Sequence, residues 1–401
     1  MQHFLVFGNH PRLSLAELRS LKEHLPPPII CGNAAIVQDN DWDGTVLLNR
    51  LGGTVKLGDI IGSLPLAELQ PEVLVTLITS FLPHRSFDFG ISLYGGGHGA
   101  KNFFQKFPIK LKKAFKTAGH STRWVSGEQG KGLSPAAVAK LKLTTEGLDI
   151  CLLVAGKTVF IGRTTDVQDA DAWSLRDYGR PARDDRNGML PPKLARMMVN
   201  FARVPKDGNL LDPFCGGGTV AMEAGLATSA QHLISSDIAE KQVADTKRNL
   251  LWLLKQHILR PDDTERFQTF TSDARIISRY LGGKLIDAVV TEGYLGPPLR
   301  GHEKIEQLEK TVSLIEEIWV DCLNEFAKIL KPRGRIVGVW PAYKTRMGMA
   351  RVDLTPRLSE LGFRLIEPLE DWESEHGPLL YMRPEQHVAR RIVILERLSA
   401  T

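Results

Sequence analysis

Four acidic residues in the second half of the chain each end a short apolar run: Asp212 in NLLDPF, Asp237 in HLISSDI, Asp273 in RFQTFTSDA and Glu292 in LIDAVVTE. Carboxylates at successive strand ends accept hydrogen bonds from a ligand's amines and hydroxyls, and the crevice beyond the carboxyl edge is where parallel sheets bind ligands. Asp212 suits a ligand bearing an amine and a carboxylate as well as a nucleoside. Asp237 stands where a carboxylate can accept from both ribose hydroxyls, and Asp273 where one can contact an adenine amine.

Between the first and second acids lies the turn Phe214, Cys215, Gly216, Gly217, Gly218, Thr219, which opens a helix-like run. Glycines let the backbone approach a ligand closely, and a helix start favours a negative group. A dinucleotide site asks for G-x-G-x-x-G, and this turn lacks the third glycine at its place. With Ile238 and Ala274 next to two of the acids, the set specifies S-adenosyl-L-methionine as the expected cofactor.

The fourth acid stands in VVTEGYLGPPL, Val289 to Leu299. A base amine's lone pair is delocalised into its ring, so an enzyme that alkylates it must accept its hydrogen bonds, aim the lone pair and stack the ring on an aromatic face. Glu292 supplies a carboxylate and Tyr294 a ring, the expected catalytic pair. Many methyltransferases acting on such nitrogens carry Asp or Asn, two prolines and an aromatic residue here; this chain has Gly293 between the two, with Pro297 and Pro298 later. Cytosine C5 chemistry needs a thiol nucleophile, and Cys215 in the glycine turn reads as a small residue.

Positioning these residues takes an alternation of helix and strand. From Met189 onward the patterns run helix LPPKLARMMVNFARV, strand NLLDPF, helix TVAMEAGLA, strand HLISSDI, helix KQVADTKRNLLWLLKQ, strand RFQTFTSDA, strand LIDAVVTE, a helix from Lys304 to Leu330 and strand GRIVGVWP. Such alternation predicts a doubly wound α/β sheet, Rossmann-like, and GPLLYMRPEQHVARRIVILERL predicts an antiparallel pair at its edge. The stretch 166–188 changes to alternating charge and reads as a linker. Upstream, two α+β units are expected, 1–60 and 61–165, with a methyltransferase-like domain over 189–401.

The second of these units carries the charge asymmetry. Lys101, Lys106, Lys110, Lys112, Lys113, Lys116, Arg123, Lys131, Lys140 and Lys142 face Glu128 as the lone acid between Gly99 and Lys142. The spacing of Phe107, Leu111, Ala114 and Phe115 is helical, so the lysines share an exposed face, expected to bind phosphates through Lys101, Lys106, Lys110, Lys112, Lys113, Lys116 and Arg123. The net charge of +5 is mild, so the signal lies in this placement. The four cysteines form no C-x-x-C pair, and no His, Cys and carboxylate spacing suggests a metal. No apolar run approaches the roughly 20 residues of a membrane span, and the start has no basic n-region, so a cytoplasmic protein without membrane association is expected.

With these residues in hand, the chain resembles the THUMP-domain tRNA guanosine N2-methyltransferases that modify guanosine 10. VQDADAWSLRDYGRPARDDRNGMLPPKLARMM is similar to the family's segment ending in G-M-L-P-P-K-L-A, LLDPFCGGGTVAMEA to its first cofactor motif, and VFIGRTTDVQD to the end of a THUMP domain. The resemblance implies an N-terminal ferredoxin-like unit and a THUMP domain that grip tRNA, and a Rossmann-like domain that methylates the base. Carried over, Asp212, Cys215, Gly216, Gly218 and Thr219 match the cofactor loop, and Asp237 and Asp273 match the ribose and adenine contacts. Met189, Leu190, Pro191, Pro192 and Lys193 match a segment closing over the cofactor. Glu292 and Tyr294 fall where the family has D-P-P-Y, a departure from its pattern. Two other readings stay open: an RNA-binding protein that keeps the fold without catalysis, and a methyltransferase with a different base, rRNA or DNA as target. A small activator protein stays open as a partner beside tRNA.

Overall fold

The computed structural model describes every residue except 83–84, 98, 128–131, 184–188, 300, 346–347, 373–376 and 400–401, and the side chains of 99–104. Contacts divide the chain into two compact units, Met1–Leu15 with Lys22–Trp173, and Ala16–Leu21 with Ser174–Thr401.

The first unit is built on β1 (Gln2–Phe7), the first half of α1 (Pro11–Leu21, whose Ala16–Leu21 belong to the second unit), β2 (Ile29–Cys31), β3 (Ala34–Gln38), α2 (Gly44–Arg50), β4 (Thr54–Pro65), α3 (Pro71–Ile78), β5 (Ser86–Gly95), α4 (Gly99–Thr117), β6 (Ser121–Trp124), α5 (Pro135–Lys140), β7 (Leu148–Ala155) and β8 (Thr158–Val167). One sheet carries all eight strands in the order β2-β3-β1-β4-β8-β7-β5-β6. The boundary expected at residue 60 falls inside β4, which pairs with β1 on one side and β8 on the other. At the centre Lys56 and Asp149 are buried together, Nζ to Oδ2 at 3.1 Å, and Thr164 Oγ1 donates to the same oxygen at 2.6 Å. Two charges that leave water must meet, and here the pair stitches β4, β7 and β8. On α4, Phe107, Leu111, Ala114 and Phe115 are buried, the period expected from sequence.

Helix α6 (Ala170–Tyr178) occupies part of the stretch expected as linker. Asp169 starts it, its Oδ1 accepting from Ala172 N at 2.9 Å, a cap that needs no apolar period. The second unit continues with α7 (Pro192–Ala202), β9 (Asn209–Asp212), α8 (Thr219–Ala227), β10 (His232–Asp237), α9 (Glu240–Lys255), β11 (Phe267–Thr271), β12 (Ile286–Thr291), α10 (Ile305–Ile329), β13 (Leu330–Thr345), β14 (Gly348–Arg351), β15 (Phe363–Leu365), β16 (Leu379–Tyr381) and β17 (Val388–Arg397).

Its sheet runs β11-β10-β9-β12-β13-β17-β15, with β14 beside β13 and β16 beside β17. β9 to β13 pair in parallel, and β17 enters antiparallel to β13. This is the Rossmann-like doubly wound sheet, and its strand order reverses between β9 and β12, which places a ligand crevice at their carboxyl ends. The expected antiparallel pair is β16 with β17, but β17 is internal: the three-residue β15, too short for a sequence period, takes the edge. Helix α10 buries Leu308, Ile315, Trp319, Cys322, Leu323, Phe326 and Ile329, a stripe at helical spacing that closes one core against the sheet. Among the described residues no helix is long and apolar enough to cross a membrane.

Candidate active site

Asp212 ends β9 and is 2 % exposed. Its Oδ1 accepts from Thr291 Oγ1 at 2.8 Å and from Phe214 N at 3.3 Å, so the ends of β9 and β12 are tied through one oxygen. Burial pushes its carboxyl up to about 7, and the charges of Asp237 and Glu292 push the same way. Removing a carboxylate from water disfavours its charge, and a cation arriving beside it would restore that charge.

The glycine turn is shaped around Asp237. Gly216 sits at φ +49° and donates its N–H to Asp237 Oδ2 at 3.1 Å, while Ala239 N donates to Oδ1 at 3.0 Å. Each oxygen keeps a lone pair for a further donor, as a vicinal diol requires. A Cβ on Gly216 would meet nothing within 4 Å, so the turn leaves open space there. Gly218, at φ +78°, is the N-cap of α8, and a Cβ on it would lie 2.8 Å from Thr246. Burial pushes the Cys215 thiol up, which suits a packed small residue and not a nucleophile.

The remaining expected cofactor residues divide. Ile238 is 68 % exposed and can cover a planar ligand, whereas the Ala274 side chain packs in the core, leaving its backbone to any ligand. Phe214 packs against that core too. Thr219 Oγ1 accepts from buried Arg180 at 2.6 Å. Asp273 is clasped by Arg275, Nη2 to Oδ2 at 2.6 Å, and that guanidinium holds its carboxyl below the usual carboxylate range. Pro191 caps α7, and Lys193 stands in its first turn, where burial and the Arg176 charge pull its amine down.

Sequence reasoning missed what holds the turn. Asn249, fully buried on α9, donates to Gly217 O at 2.8 Å and to Ala182 O at 2.9 Å, and accepts from Ala182 N at 2.9 Å. Thr246, one helical turn earlier, donates to Gly216 O at 2.8 Å. Their spacing of three along α9, between apolar positions, was the available signal. Below them Glu223 on α8 is fully buried between Arg176 at 2.8 Å and Arg196 at 2.6 Å.

Glu292 follows β12. Its Oε1 accepts from Arg390 Nε at 2.6 Å, and both side chains are largely buried, 19 % and 8 % exposed. Gly293 takes φ +69°, with its missing Cβ 3.1 Å from the Trp319 ring, and Gly296 takes φ +87° against Tyr343. Tyr343 Oη donates to Leu295 O at 2.8 Å, fixing the loop from below. Tyr294 is 41 % exposed, a ring open to a stacking partner. No sequence signal linked Glu292 to Arg390, because the two lie 98 positions apart in the chain.

Of the expected phosphate-binding residues in the first unit, Lys106, Lys110, Lys112, Lys113 and Lys116 are exposed on α4, and the Lys101 side chain lies outside the described residues. Arg123 is exposed but paired, its Nε donating to Asp88 Oδ1 at 2.9 Å, so it is a weaker candidate than the lysines. Among the described residues no cluster could hold a metal ion.

Residues 180–277, which hold the glycine turn and the first three acids, match the RMKL-like methyltransferase domain family. The tRNA (guanine(10)-N2)-dimethyltransferase of Methanocaldococcus jannaschii is 29 % identical over 212 residues, which cover 51 % of this chain and 56 % of that protein. The chain thus spans about half the length of this curated relative. TrmN from Thermus thermophilus shares the fold over 99 % of this chain and 100 % of its own, with a TM-score of 0.53 and 18 % identity. A Methanothermococcus thermolithotrophicus protein named a probable tRNA (guanine(10)-N2)-dimethyltransferase is 32 % identical over 117 residues, 29 % of this chain and 68 % of that protein. By that match the chain belongs to the tRNA (guanine(10)-N2)-dimethyltransferase family.

Proposed function

We propose that the chain methylates the exocyclic N2 of a guanosine in tRNA, of the position-10 type, with S-adenosyl-L-methionine as donor. The observation that carries this is the convergence of Asp212, Asp237 and Glu292 at the carboxyl ends of β9, β10 and β12, beside a glycine turn that leaves room for a ligand. The residues fit that cofactor. Asp212 meets the amino acid end, Asp237 the ribose hydroxyls, and the 272–275 segment with Ile238 the adenine; Asp273 does so through its backbone while Arg275 holds its carboxylate. Bound there, S-adenosylmethionine supplies a methyl group on a sulfonium.

The chain's own residues then act on the base. Glu292 accepts from the N2 amine through Oε2, which bears no hydrogen bond among the described residues, and so turns the nitrogen lone pair toward the cofactor. Tyr294 stacks the base. The proton released from N2 goes to Glu292 or to water. The first unit, read as a ferredoxin-like segment and a THUMP domain, holds tRNA on the lysine face of α4, and the cytoplasm is the place of action.

The test is methyl transfer from labelled S-adenosylmethionine to tRNA by the purified chain. Glu292→Gln is expected to lower turnover at least about 100-fold while cofactor affinity stays within about threefold. Full turnover in that variant would remove Glu292 from the mechanism.

A further inference from the structure

Gly293 gives the chain beside Glu292 a left-handed turn at φ +69°, which proline cannot adopt and which other side chains adopt only under strain. Glycine leaves that turn soft, so an acid preceding it needs a restraint from elsewhere. Arg390 supplies one. It sits on β17, opposite Pro341 of β13, on a strand paired on both sides and therefore fixed. Its side chain is 8 % exposed, and Nε reaches Glu292 Oε1 at 2.6 Å, the length of a charge-assisted bond.

We propose that Arg390 is a positioning residue: it holds Glu292 by Oε1 so that Oε2 faces the base amine, and it thereby governs turnover and not cofactor affinity. The bond occupies one oxygen of the carboxylate, and among the described residues the other has no partner. A carboxylate pinned at one oxygen by a guanidinium is turned about one remaining axis, which is the restraint that in-line attack by a nitrogen requires. Asp212, tied to Thr291 immediately before Glu292, restrains the backbone on the other side.

This inference rests on the guanosine N2-methyltransferase reading above. Its test is single-turnover methylation of tRNA at saturating S-adenosylmethionine, with cofactor affinity by calorimetry, for wild type, Arg390→Met, Arg390→Lys, Glu292→Gln and the Arg390→Met/Glu292→Gln double variant. Arg390→Met keeps the aliphatic stem in its slot and is expected to slow transfer about 30-fold or more, with affinity within about twofold. Arg390→Lys keeps the charge without the Nε geometry and is expected to lie between it and wild type, about three- to tenfold slow. The double variant is expected to be no slower than Glu292→Gln by more than about threefold, because the two residues act as a unit.

Rates that multiply in the double variant overturn the proposal, as does Arg390→Lys at the wild-type rate. Arg390→Met as fast as wild type also overturns it, and a faster variant would show that the ion pair holds the carboxylate out of reaction. A wild-type chain that binds S-adenosylmethionine and methylates no tRNA defeats the functional reading and this inference with it. An active wild type with an equally active Arg390→Met defeats this inference alone.

Discussion

Asp212 is buried at the end of β9, where removal from water disfavours its charge. Its ordinary value of 3.8 is raised to about 7 by burial, so the folded state binds its proton more tightly than the unfolded state does. The stability it contributes is complete below about pH 4 and is lost as pH rises through about 7, up to about 4 kcal/mol for a shift of this size. Asp212→Asn should therefore make the cofactor-free protein more stable than wild type at pH 8, with the difference vanishing near pH 4, as followed by urea unfolding at both pH values. The same variant should bind S-adenosylmethionine at least about tenfold more weakly, because the ligand's ammonium loses its counter-charge. Equal stability of the two proteins at pH 8 would show that burial does not penalise the Asp212 charge. At this scale the sequence disclosed the acids, since an acid ending an apolar run is visible in one dimension. It hid the pairing of Arg390 with Glu292 and of Thr291 with Asp212, which meet only after folding.

Strands and turns account for the positions of these groups. Gly218 combines φ +78° with a Cβ position 2.8 Å from Thr246, so Gly218→Ala meets both backbone strain and collision. A loss of about 1–3 kcal/mol in unfolding free energy and at least about tenfold in cofactor affinity is expected, measured by urea titration and calorimetry. In the first unit, Lys56→Met leaves Asp149 buried without its cation and should destabilise that unit by about 3–5 kcal/mol, a loss visible in its unfolding transition. The helices α7 to α10 and strands β9 to β13 were legible because parallel strands buried on both faces read as continuous apolar runs, and α10 as a 3.6-residue stripe. Strand β4 was not: TVKLGDIIGSLP carries a buried lysine and two glycines, which break the alternation that a half-buried strand shows. Strands β14 and β15, of four and three residues, are shorter than any period can mark.

For the molecule as a whole, the proposed function gives the two units separate tasks, chemistry in one and substrate capture in the other. The lysine face of α4 was legible because the buried Phe107, Leu111, Ala114 and Phe115 fix which side is exposed. Changing Lys110, Lys112, Lys113 and Lys116 together to Ala should weaken tRNA binding and flatten its salt dependence by about 0.7–0.9 in log–log slope for each phosphate no longer neutralised, leaving S-adenosylmethionine affinity unchanged. An unaltered salt slope would move the RNA surface elsewhere. The central claim, methyl transfer to guanosine N2, is met most directly by mass spectrometry of nucleosides from tRNA incubated with the purified chain and S-adenosylmethionine carrying a deuterated methyl group. Label in N2-methylguanosine or N2,N2-dimethylguanosine is predicted with wild type, and its loss with Glu292→Gln; label in a methylated adenosine or cytidine, or none while the cofactor binds, would contradict the claim.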